Sequence, residues 1–124
     1  MVKSLFMNIT PLPAFTDNYI WLIEENGKAT VIDPGDANVV NNYLLEKNLR
    51  LESILITHHH YDHTGGVEQL KKSYECNVYG PYDSPFNGVE IKLKENDEIS
   101  IHGFSFKIIE VPGHTLDHIA YHSE

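Results

Sequence analysis

The sequence predicts a layered α/β fold, and three observations carry that expectation. Short apolar runs recur at Tyr19–Ile23, Ala29–Ile32, Ile54–Ile56 and Phe104–Val111. Between them lie two stretches with helical spacing of apolar residues, 37–48 and 67–74. Turn-forming residues cluster at the junctions, as in Asn26-Gly27, Asp33-Pro34-Gly35-Asp36 and Thr64-Gly65-Gly66.

Taken in order, the first third reads as strands. Asn26-Gly27 between two apolar runs is a strong hairpin signal. Asp33–Asp36 breaks the second strand, and Asp36 is a candidate N-cap for a helix over Ala37–Asn48 with apolar residues Val40, Tyr43, Leu44 and Leu45. Ile54-Leu55-Ile56 reads as a buried strand. A second helix follows over Val67–Tyr74, with Val67 and Leu70 inward. Cys76–Tyr79 is strand-like. Val89, Ile91 and Leu93 alternate with polar residues, His102-Gly103 predicts a hairpin turn, and His118–His122 begins another strand.

Composition narrows the function. The chain has 124 residues, 41% hydrophobic and 22% charged, which suits one globular domain or a piece of a larger one. A formal charge of −9 argues against nucleic acid and anionic membranes as partners. An anionic small substrate would need local positive charge, from a metal or a basic patch. No apolar run approaches the ~20 residues of a membrane span. The opening Met1–Met7 is too short and too polar for a secretory signal, so the cytoplasm is the expected location. The single cysteine, Cys76, rules out a disulfide within the chain and reads as a packed residue.

Histidine usage is the informative departure. Eight histidines are present, and four fall within Thr57-His58-His59-His60-Tyr61-Asp62-His63. A run placed inside the chain after an apolar strand is not a tag. On an extended segment His58 and His60 share a face, and His59 should point away. Imidazole nitrogen suits zinc and its neighbours. Asp62 and His63 lie where the chain turns toward a helix, which can aim them at a second metal position. Two cations ~3.5–4 Å apart can share one water and lower its pKa toward neutrality. The Asp62 carboxylate can also accept a hydrogen bond from that water, which makes it the candidate catalytic residue. Gly65 and Gly66 are expected to supply a tight turn under the site.

His114, just past a buried strand in Val111-Pro112-Gly113-His114, would complete a three-histidine set with His58 and His60. Asp33, at the end of an apolar strand, has two readings. It can hold the N–H of a ligand histidine, or it can cap the next turn. His118 is placed beside the site as an outer partner. His102, in a predicted turn, should be solvated, and His122 structural or exposed.

The set His58-x-His60-x-Asp62-His63 with Pro112-Gly113-His114-Thr115 resembles the metallo-β-lactamase superfamily. Within it the chain resembles glyoxalase II, the hydroxyacylglutathione hydrolases, through Pro13-Ala14-Phe15-x-Asp17-Asn18-Tyr19-Ile20-Trp21, Val31–Asp36, Thr57–Gly66 and Tyr79-Gly80-Pro81. The resemblance implies an αββα sandwich. It implies one metal held by His58, His60 and His114, and a second by Asp62 and His63. Zinc is the expected metal, with iron or manganese possible. The implied reaction is hydrolysis of S-D-lactoylglutathione to D-lactate and glutathione, a step in methylglyoxal detoxification. A persulfide dioxygenase, a lactonase, or a non-catalytic metal-binding fragment are the alternatives.

Two features depart from that family. It continues past the last strand here, supplying a bridging aspartate, a further histidine, the glutathione-binding residues and a helical domain. Residues 1–124 therefore read as the N-terminal half to two-thirds of the sandwich, with one metal position complete. The fragment alone should be nearly inactive and prone to self-association through apolar surface left bare. The family also usually has glycine where Asp117 stands.

Overall fold

The computed structural model describes residues 8–15, 18–111 and 117–123. His114 and Asp17 lie outside them. Six strands form one sheet in the order β1 (Asn8–Ala14), β2 (Asn18–Glu25), β3 (Lys28–Ile32), β4 (Arg50–Leu55), β5 (Asn77–Pro81) and β6 (Ile91–Leu93). A second sheet holds β7 (Glu98–Ile101), β8 (Phe104–Glu110) and β9 (Ile119–His122). Helices α1 (Ala37–Lys47) and α3 (Val67–Tyr74) connect parallel strands, and a four-residue helix α2 (Tyr61–Thr64) sits within the histidine motif.

Local chemistry explains most boundaries. Asn26 and Gly27 both take positive φ, 52° and 80°, so β2 and β3 close as the hairpin the sequence predicts. Asp36 caps α1, its side chain accepting from the Asn38 N–H at 2.9 Å. Asn48 ends that helix in the left-handed conformation. β1 gives little sequence signal because Pro11 and Pro13 interrupt it. It lies at the sheet edge, where missing N–H donors are tolerated.

The six-stranded sheet buries both faces. Ala29, Val31, Leu51, Ile54, Ile56 and Val78 pack against Val40, Leu44, Val67 and Leu70 of the helices. On the opposite face Ile23 and Leu55 pack against Ile101 and Phe106 of the second sheet. This two-sided burial is why Ile54-Leu55-Ile56 is continuously apolar, each residue 0% exposed. The layers are helices, sheet, sheet: an α/β sandwich. Among the described residues no helix is long and apolar enough to cross a membrane. Cys76 is buried and unbridged, and burial raises its thiol pKa, as suits a packing residue.

His102 corrects an expectation. It occupies the β7–β8 turn at φ 52°, yet it is half-buried rather than solvated. Its Nε2 lies 2.9 Å from the Thr30 hydroxyl, which is 2.6 Å from the Ser53 hydroxyl. Thr30 and Ser53 face the second sheet from β3 and β4, so the turn histidine folds back to satisfy hydroxyls caught between sheets. Burial lowers its pKa.

Candidate metal centre

Parallel pairing brings the site together. Ile32 of β3 is in register with Leu55 of β4, so the residues just beyond both strands emerge side by side. The Asp33 N–H donates to the Leu55 carbonyl at 2.9 Å, continuing the ladder one step. Asp33 and the segment Thr57–His63 therefore meet at the carboxyl ends of adjacent parallel strands, where open α/β sheets bind ligands.

Asp33 is buried, and its carboxylate is fully engaged. Its Oδ1 accepts from the Thr57 N–H at 2.7 Å. Its Oδ2 accepts from the Thr57 hydroxyl at 2.6 Å and lies 3.1 Å from His63 Nδ1. The Thr57 hydroxyl in turn lies 2.8 Å from His58 Nδ1. Because that hydroxyl gives its proton to Asp33, it accepts from His58, so His58 carries its proton on Nδ1. His63 likewise donates from Nδ1. One carboxylate thus sets the tautomer of two histidines, with Nε2 of each as the atom that could bind a metal.

The remaining geometry gathers around His58, which is 3% exposed. Ring centroids of His60, His63 and His118 lie 5.1, 4.3 and 4.7 Å from its own. Burial, then the neighbouring His63, pushes the His58 pKa down to about 4, so the ring is neutral at physiological pH and can serve as a ligand. His63 shifts upward, chiefly through its hydrogen bond to Asp33. Asp62 sits in α2 beside His63, its Oδ2 3.6 Å from His63 Nε2. The Asn18 amide donates to that same oxygen at 2.8 Å and lowers the Asp62 pKa.

Ligand atoms of Asp33, His58 and His63 lie within 4.8 Å of one another. Two imidazole nitrogens and a carboxylate oxygen gathered in this way fit a divalent transition metal. The structure groups His58, His60, Asp62, His63, Asp33 and His118 in one place; His114 is outside the described residues. Asn18 was not singled out by sequence reasoning. Only the β1–β2 fold brings it across 44 residues to Asp62.

The two glycines act differently from expectation. Gly65 and Gly66 have ordinary negative φ, −60° and −95°, so no tight turn requires them. They are needed for proximity. A Cβ on Gly65 would meet the Gly35 carbonyl oxygen at 2.8 Å, and one on Gly66 the Pro34 carbonyl oxygen at 2.6 Å. His59 departs from the ligand group: its Nδ1 lies 2.9 Å from Asp117 Oδ1, although its ring stays 5.2 Å from that of His60. His59 also lines a hollow of about 360 Å³ with Tyr61, Thr64, Gly65, Glu68, Pro85 and Phe86.

Comparison with known proteins bears on the family and the fold. The family model described as Metallo-beta-lactamase superfamily matches residues 14–124. A hydroxyacylglutathione hydrolase of Hahella chejuensis is 50% identical over 114 residues, 91% of this chain and 44% of its own length. One from Pseudomonas fluorescens is 49% identical over 122 residues, 94% of this chain and 48% of its own. The chain thus spans about half the length of these relatives. Among solved structures, the BLEG-1 B3 metallo-beta-lactamase superposes with a TM-score of 0.81 at 22% identity, covering 94% of this chain and 67% of that one. ETHE1 from Myxococcus xanthus gives 0.77 at 24%, covering 96% and 54%. At that identity these two likenesses speak to the fold.

Proposed function

The chain belongs to the metallo-beta-lactamase superfamily, and from that premise we propose that it carries the histidine-rich half of the metal centre of a glutathione thioester hydrolase. The substrate we assign is S-D-lactoylglutathione, cleaved to D-lactate and glutathione. The observation that carries this reading is the Asp33–Thr57–His58 and Asp33–His63 pair of hydrogen bonds, which turns two imidazoles into oriented metal donors. The names of relatives at 44–50% identity supply the substrate class.

In this proposal His58, His60 and His114 hold one metal, with zinc preferred, and Asp62 and His63 contribute to a second. A metal bound there would supply Lewis-acid activation of water for attack on the thioester carbonyl. The chain's own residues do the rest. Asp33 and Thr57 hold the histidines in the binding tautomer. Asn18 orients the Asp62 carboxylate and keeps it ionised, so that it can accept a hydrogen bond from water. The leaving thiolate, whose parent thiol has a pKa of ~8.5, needs no strong acid to depart. His118 packs behind His58 and limits how far that ring can turn. Two protein ligands are too few to secure the second metal, so the 124 residues alone should turn over the thioester very slowly.

A chimera joining this chain to the remaining half of the Hahella chejuensis hydrolase tests the assignment. It should release glutathione from S-D-lactoylglutathione, stop when metal is chelated, and resume when zinc is restored. A folded, metal-loaded chimera that consumed glutathione persulfide and left the thioester intact would overturn it.

A further inference from the structure

The residues that carry His58 and His60 have no regular secondary structure. The His60 carbonyl accepts from the His63 N–H at 2.9 Å and from the Thr64 hydroxyl at 3.2 Å, and the leading end of β9 holds the residues just before His58. The Ile119 N–H donates to the Thr57 carbonyl at 2.9 Å, and the Tyr121 hydroxyl donates to the Ile56 carbonyl at 2.7 Å. Within 58–60, the His58 ring lies 4.7 Å from that of His118 between centroids, and Asp117 Oδ1 lies 2.9 Å from His59 Nδ1, across 58 residues. The Asp117 side chain is 3% exposed and that of His59 37%. Burying a carboxylate costs several kcal/mol unless hydrogen bonds offset it.

We propose that Asp117 is a positioning residue for the metal centre. By fixing the ring of His59, it sets the backbone between His58 and His60 and so the separation of their two donor nitrogens. This rests on the metal reading above and goes beyond it.

Zinc affinity of the full chain, measured by competition with a chromophoric chelator, tests this alongside urea unfolding of the metal-free protein. Asp117→Ala should weaken zinc roughly 10- to 100-fold, the scale of lost outer partners. Asp117→Asn keeps an oxygen that accepts from Nδ1–H, and should recover most of that loss. His59→Leu removes the same contact from the more exposed partner, should weaken zinc by a similar factor, and should add nothing to Asp117→Ala. Unchanged affinity in either single variant, equal losses in the asparagine and alanine variants, or losses that add would overturn the proposal. So would a change in metal-free stability with no change in affinity. Wild-type protein that binds no zinc would remove the metal reading itself and this inference with it; wild-type binding with indifferent variants removes the inference alone.

Discussion

Gly35→Ala is expected to break the site without replacing a ligand side chain. A Cβ at Gly35 would lie 1.9 Å from the Asp62 carbonyl oxygen and 2.5 Å from its carbonyl carbon. Both are backbone atoms of α2, and no side-chain rotation can relieve the overlap. The turn after β3 would have to move away from the motif, or the motif away from the turn. The Gly66 N–H donates to the Pro34 carbonyl at 2.8 Å, so displacement of the turn also strains the entry to α3. Overpacking of this kind costs about 1–3 kcal/mol, occasionally more. Urea unfolding should show at least that loss. Zinc titration should show affinity weakened by more than about 10-fold, because Asp62 and His63 shift relative to His58. Wild-type stability and affinity in this variant would mean the two backbones are not in contact.

Asp33→Asn should have the larger effect on metal. The substitution is isosteric, and asparagine tolerates the φ of 55° found at this position. Its amide oxygen can still accept from the Thr57 N–H. Its amide nitrogen then faces the Thr57 hydroxyl and His63 Nδ1, where Asp33 offered an acceptor. Now the hydroxyl must accept from the amide and give its proton to His58 Nδ1. Both histidines are driven to carry their proton on Nε2, which closes the lone pairs a metal would use. Two ligands switch together, so zinc affinity should fall by roughly 100-fold, the upper end for an outer partner. Nitrogen-15 shifts of the two rings should report the exchanged tautomers in the metal-free protein. Unchanged ring shifts would show that Asp33 does not set them.

Much of this was legible in the sequence, for identifiable reasons. Asn26-Gly27 forces positive φ twice, and Asp36 supplies a side-chain acceptor. Such signals act within a few residues and survive any tertiary context. The spacing of His58, His60, Asp62 and His63 is likewise local. What was hidden depends on register. Asp33 reaches Thr57 because Ile32 pairs with Leu55, and nothing in either strand announces that alignment. Asn18 meets Asp62, and Asp117 meets His59, across 44 and 58 residues. The glycines were found, but their reason was not. Their dihedral angles are ordinary, and what they provide is room for neighbouring backbones. His102 looked like a turn residue and is one. The hydroxyls of Thr30 and Ser53 that draw it inward lie on strands whose facing sheet no local pattern identifies.

Whether the segment from His58 to His63 holds a metal is read from elemental analysis of metal per chain, on protein loaded with zinc and freed of excess by dialysis, beside His58→Ala and His114→Ala variants. One tightly held zinc is expected in the wild type and little or none in either variant. Equal metal content in all three would contradict that expectation.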